Sequence, residues 1–101
     1  MADTITNAID FFDKINEEKE VTIKFIKKDK TVRIMKCTLD FETIPRSQHP
    51  KDLNMRKILN DMNVHKLLRV YDLEKRDWRS VPFDRVQWLE TPDTMYNIIP
   101  K

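Results

Sequence analysis

Seven cationic side chains, Lys24, Lys27, Lys28, Arg33, Arg69, Arg79 and Arg85, carry the most suggestive chemistry in this sequence. Lysine offers a compact charge and arginine a planar fork of donors, and both suit phosphate oxygens. Their distribution is uneven. Residues 21–39 hold Lys24, Lys27, Lys28, Lys30, Arg33 and Lys36 against Asp29, a balance of +5, whereas residues 1–20 set six acids against Lys14 and Lys19, a balance of −4. The formal net charge of +2 conceals this asymmetry. A basic hairpin can attract a phosphate backbone, and basic strand faces also protect sheet edges from aggregation. Arg79 and Arg85 either join Arg69 on one phosphate-facing surface beside an aromatic ring, or pair with Asp84 to lock the chain.

Other chemistries have weaker support. Cys37, His49 and His65 lie 12 and 16 residues apart, without the close Cys or His pair that seeds a metal site, so no metal is expected. Cys37 stands in an apolar strand pattern, where a small buried side chain is the ordinary outcome and a nucleophile is not. Asp72, Glu74, Asp77 and Asp84 alternate with Lys75, Arg76, Arg79 and Arg85, which reads as a solvated face of ion pairs rather than an acid–base pair. Trp78 and Trp88 could stack bases, but their strand positions favour the core. No catalytic set converges, so an enzyme and a cofactor are not expected.

Glycine is absent from all 101 residues. That excludes a P-loop, a dinucleotide-binding fingerprint and a KH-type clamp, each of which needs glycine for close backbone approach to phosphate or for positive φ. Phosphate recognition would therefore fall to side chains. The length suits one domain, and the absence of long apolar runs or a signal-peptide pattern, with a lone cysteine, points to the cytosol.

The elements that must position these residues follow from periodicity. Ile5, Ala8, Ile9, Phe12 and Ile15 predict an amphipathic helix over residues 4–18, capped by Thr4 or Thr6. Val21, Ile23 and Phe25 alternate as a strand, a turn follows at 27–30, and a second strand runs over 31–39. Val32 and Ile34 have one parity and Met35, Cys37 and Leu39 the other, so a β-bulge near Ile34 or Met35 is expected to turn both sets inward. Without glycine, Asp29-Lys30 must supply the positive φ of a tight turn, unless the loop is longer. A helical insertion spans 40–65, with Met55, Ile58, Leu59 and Met62 at helical spacing. Three short strands follow, the last two separated by a one-turn connector at Phe83-Asp84-Arg85.

The stretch from Tyr71 through Asp72, Trp78-Arg79-Ser80 and Pro82-Phe83 to Asp84-Arg85-Val86 resembles the C-terminal half of a WYL domain, an Sm-like barrel. Residues 21–45 resemble the opening hairpin of that family, so the likeness covers 21–45 and 67–90. Lys66-Leu67-Leu68 stand where the eponymous Trp-Tyr-Leu would be, so the leucine is what remains of the motif. The layout is similar to small stand-alone proteins carried by tailed phages, which implies action in a host cytoplasm. The resemblance further implies a regulatory module for nucleotides or nucleic acid, without an attached helix-turn-helix.

The expected architecture is α+β but mainly β: a five-stranded, strongly bent Sm-like barrel over residues 1–90 with an N-terminal helix, a helical insertion between its second and third strands, and a docked tail over 91–101. A two-layer sheet is the competing arrangement. The expected function is non-enzymatic binding of single-stranded nucleic acid or a nucleotide through Lys24, Lys27, Lys28, Arg33, Arg69, Arg79 and Arg85. The alternative is a protein-interaction module that modulates a host enzyme through Met55, Ile58 and Met62, and barrel edges leave room for a homo-oligomer.

Overall fold

The computed structural model describes residues 3–49 and 55–99. The five strands read from alternation are present: β2 (Val21–Ile26), β3 (Val32–Thr38), β4 (Leu67–Asp72), β5 (Asp77–Pro82) and β6 (Val86–Glu90). Two further strands flank them in sequence, β1 (Asp3–Ile5) and β7 (Met95–Ile98). All seven form one sheet in the order β1-β7-β6-β2-β3-β4-β5, in which β1 and β7 run parallel and the other neighbours antiparallel.

The expected five-stranded closed barrel is thus corrected to a seven-stranded open sheet edged by β1 and β5. Its weakest seam is β3 with β4, paired through Cys37 and Asp72 and through Thr38 and Tyr71. The two edges, β1 and β5, do not pair, and helices pack on one face of the sheet. There α1 (Ala8–Glu17) sets Ala8, Phe11 and Ile15 into the core, and α2 (Met55–Val64) adds Met62. Phe11 meets Phe83 of the 3₁₀ turn Phe83–Arg85 at a centroid distance of 5.5 Å. Full burial of such a ring contributes about 1.5–3 kcal/mol.

The first helix starts later than its apolar spacing suggests. Asn7 is the N-cap, its side chain accepting from the Asp10 N–H at 2.8 Å, while Ile5 is buried in β1 opposite Ile98 of β7. Residues 95–98, inside the expected tail, are therefore integral to the sheet. No described helix is long and apolar enough to cross a membrane.

The expected bulge near Ile34 and Met35 is absent, since β2 and β3 pair without interruption from Val21 opposite Cys37 to Ile26 opposite Val32. Met35 and Cys37 face the core, while Val32 and Ile34 stay more than half exposed on the outer face. The register break lies instead between β2 and β6. One step from Lys24 to Phe25 matches two steps from Trp88 to Val86, so Gln87 is the extra residue.

Among the described residues three adopt the left-handed region: Lys30 (φ 70°), Lys66 (φ 56°) and Arg76 (φ 56°). In the first hairpin the Lys30 N–H donates to the Lys27 carbonyl at 2.9 Å, the Lys27 N–H to the Thr31 carbonyl at 2.8 Å, and Asp29 accepts from the Thr31 N–H and hydroxyl. These bonds hold the Asp29 carboxyl below the usual carboxylate range, the Thr31 hydroxyl being the largest cause.

Candidate anion-binding site

The hairpin turn at the end of β2 and the 3₁₀ turn leading into β6 are far apart in sequence, yet antiparallel pairing of β2 with β6 sets them side by side. Between them lies an open depression of ≈ 670 Å³. Lys27, Lys28, Lys30 and Arg85 ring it, Ile26, Val86 and Ile98 supply apolar wall, and Asp84 and Gln87 complete the lining. Four cations face one carboxylate of the rim, with Asp29 of the turn engaged by Thr31 and close enough to feel Lys27. Among the described residues no acid lies within 4.0 Å of the charged groups of Lys28, Lys30 or Arg85. Four cations beside an apolar wall, three of them with no acid within 4.0 Å among the described residues, can hold a polyanion.

Three of the seven expected residues, Lys27, Lys28 and Arg85, thus come together, and the structure adds Lys30 and Gln87. Lys30 was legible in the same charged turn, whereas nothing marks Gln87 in the sequence. Lys24 is half-buried on the outer face, between Ile34 of β3 and Trp88 of β6.

The remaining arginines are placed elsewhere. Arg69 and Arg79 cannot line one surface, because Arg69 is paired with Ser80 and Arg79 with Val70, on alternate faces of the β4–β5 hairpin. Arg33 and Arg79 converge on a different acid from the expected Asp84. Arg33 donates from Nη2 to Asp72 Oδ2 at 2.5 Å, and Arg79 Nε stands 4.0 Å from the same oxygen. Asp72 is fully buried, and its Oδ1 also accepts from the N–H groups of Glu74 and Lys75 at 2.9 and 3.1 Å. This carboxylate joins β3 to the β4–β5 hairpin, and it occupies the Arg33 guanidinium from within the protein.

Beside it, the loop around the 3₁₀ turn Arg46–Gln48 folds over the β4–β5 hairpin. The Tyr71 hydroxyl donates to Gln48 Oε1, the Trp78 indole N–H donates to the Gln48 carbonyl at 2.7 Å, and Gln48 Nε2 donates to the Arg76 carbonyl at 2.9 Å. Trp78 is packed edge-on against Tyr71 and Phe41.

Cys37 is buried, and desolvation, with a smaller effect from Asp72, pushes its thiol up to about 12, so it is no nucleophile near neutral pH. The His49 ring bonds the Ile44 carbonyl at 2.8 Å. Among the described residues no group of His, Cys, Asp or Glu could hold a metal ion. Of the expected partner-binding set, Met62 is fully buried in the core, which removes it from any docking surface, and the side chains of Met55 and Ile58 lie outside the described residues.

The family model WYL_2, described as an Sm-like SH3 β-barrel fold, matches residues 8–86. No curated protein and no solved structure matches the chain.

Proposed function

The chain belongs to the WYL_2 family, and on that premise we propose that it is a non-enzymatic regulatory protein that binds the phosphates of a nucleic acid or nucleotide in the depression ringed by Lys27, Lys28, Lys30 and Arg85. The observation that carries this reading is the convergence of these four cations from two distant segments, three of them with no acid within 4.0 Å among the described residues. Side chains do here what glycine-rich backbone does in other phosphate sites, in keeping with a chain that has no glycine. The resemblance to small phage-carried proteins supports a regulatory role in a host cytoplasm.

The test is fluorescence anisotropy of a labelled oligonucleotide across a salt series. Four phosphate contacts to a single strand give a slope of log K against log salt of about −3. The double reversal Lys27→Glu and Lys28→Glu should abolish binding while leaving the circular dichroism spectrum intact. If no oligonucleotide or nucleotide binds at low salt, the proposal is wrong.

A further inference from the structure

Among the described residues no helix packs on the outer face of β3, β2, β6 and β7. The helices pack on the opposite face, and the loop around Gln48 covers the β4–β5 end. Register across this open face sets Ile34, Lys24, Trp88 and Asn97 in one row. Val32 and Ile26 form the next row, and Ile26 is also a wall of the cationic depression. Lys24 lies two residues from Ile26 on the same face, roughly 7 Å along the strand. Trp88 directly follows Gln87, another lining residue. The open row and the depression therefore form one continuous surface.

Trp88 behaves unlike Trp78. The Trp78 indole N–H is bonded to Gln48 and its ring is held between Phe41 and Tyr71. Trp88 is half-buried, and among the described residues its ring has no aromatic neighbour and its indole N–H no hydrogen-bond partner. Nor is that N–H a buried orphan, because no buried side-chain nitrogen or oxygen there lacks a partner, so it reaches solvent. Ile34 and Val32 extend the apolar strip at 55% and 53% exposure. Burial in the core does not explain an indole so placed, flanked by a lysine and continuous with a ring of cations.

We propose that Trp88 is a base-stacking platform, so that the ligand of this surface is a single-stranded nucleic acid whose phosphates lie on Lys24 and the Lys27–Arg85 depression while a base stacks on the indole. The inference rests on the phosphate-binding reading above and narrows it. A duplex keeps its bases stacked on one another and offers none to the ring, and inorganic polyphosphate has no base to offer. An indole platform discriminates among these ligands, which cations cannot do.

The experiment compares three probes at one salt concentration: an oligothymidylate of about 12 nucleotides, a duplex of the same length, and tripolyphosphate. Wild-type protein should prefer the single strand to the duplex, and the single strand should quench tryptophan emission. Trp88→Ala should lower single-strand affinity about tenfold and leave tripolyphosphate affinity unchanged. Should Trp88→Ala fail to fold, Trp88→Phe keeps a ring: it should retain most of the single-strand affinity while the quenching disappears. Quenching that persists in Trp88→Phe comes from Trp78 and overturns the proposal. Equal affinity of wild type and Trp88→Ala for the single strand also overturns it, with the phosphate reading intact if tripolyphosphate still binds. If Trp88→Ala dissociates a dimer in sedimentation without changing oligonucleotide binding, the face belongs to a second copy of the chain and the platform is refuted. Failure of every probe to bind at low salt removes the phosphate reading itself.

Discussion

Removing the Asp72 carboxylate tests whether Arg33 is a ligand-binding residue or a structural one. Asp72 is fully buried and its carboxylate serves three close donors, the Arg33 guanidinium and the N–H groups of Glu74 and Lys75. Breaking a buried pair by deleting one partner costs about 3–5 kcal/mol. The stranded Arg33 side chain keeps 21% exposure and can recover some hydration, so Asp72→Ala should fall at the low end, about 3 kcal/mol. Arg33→Ala leaves a buried carboxylate with two N–H donors and Arg79 at 4.0 Å, a softer loss of about 2 kcal/mol. If the pair is the main term, the double variant is destabilised by clearly less than the sum, with a coupling of about 1–3 kcal/mol. In a domain of this size 1 kcal/mol shifts the melting temperature by about 4–8 °C, so Asp72→Ala should melt at least about 12 °C lower.

Urea denaturation followed by circular dichroism measures all three variants, and an unchanged m-value keeps the comparison valid. Arg33→Ala should in addition leave the salt slope of oligonucleotide binding where it is in the wild type, because its charge is already engaged. A cost of Asp72→Ala below about 1 kcal/mol, with a coupling within about 0.5 kcal/mol of zero, would show that the pair does not hold Arg33. Arg33 would then be free to serve a ligand, and a drop in oligonucleotide affinity in Arg33→Ala would confirm that.

Lys66→Gly and Arg76→Gly should each stabilise the fold by about 0.5–1 kcal/mol in thermal denaturation, since glycine relieves the left-handed strain of a side chain with Cβ and gives back part of the gain as unfolded-state entropy. Lys30→Gly should stabilise by a similar amount and weaken oligonucleotide binding in the anisotropy assay. The Cys37 thiol is held up to about 12 in the folded state against an ordinary value of 9.0, so the folded form retains a proton that the unfolded form loses. Stability is unaffected below about pH 9 and falls between about 9 and 12, by about 1.4 kcal/mol per pH unit at most; the steepening should vanish in Cys37→Ala, whose own packing cost appears at every pH. Native Cys37 should also react with a thiol reagent no faster than the chain unfolds.

The strands legible in the sequence are those whose two parities differ in polarity. Val21, Ile23 and Phe25 alternate with Thr22 and Lys24, and β2 lies where that pattern puts it. In β3 both parities are apolar, and polarity has no means of saying which side the helices will cover; Val32 and Ile34 are turned outward because α1 and α2 occupy the other face. The strands β1 and β7 are three and four residues long and stabilise each other through parallel pairing across the length of the chain, so neither carries a local pattern strong enough to read.

The site divides along the same line. Lys27, Lys28 and Lys30 are adjacent in sequence and announce a cationic turn, but their meeting with Arg85 depends on the β2–β6 register, including the bulge at Gln87. Arg33 has the same charge and a similar strand setting, yet lies 39 residues from the acid that engages it. Composition does contribute one conclusion that survives to the site. A chain without glycine must seat ordinary residues at its left-handed turn positions, and the three such residues among those described are all basic. For Lys66 and Arg76 this is strain with no ligand to justify it. Lys30 is different: its left-handed turn sets it on the rim of the depression beside Arg85, so there the cation is what a glycine would forfeit. The same substitution at these three positions thus separates turns that merely close a chain from the turn that takes part in binding.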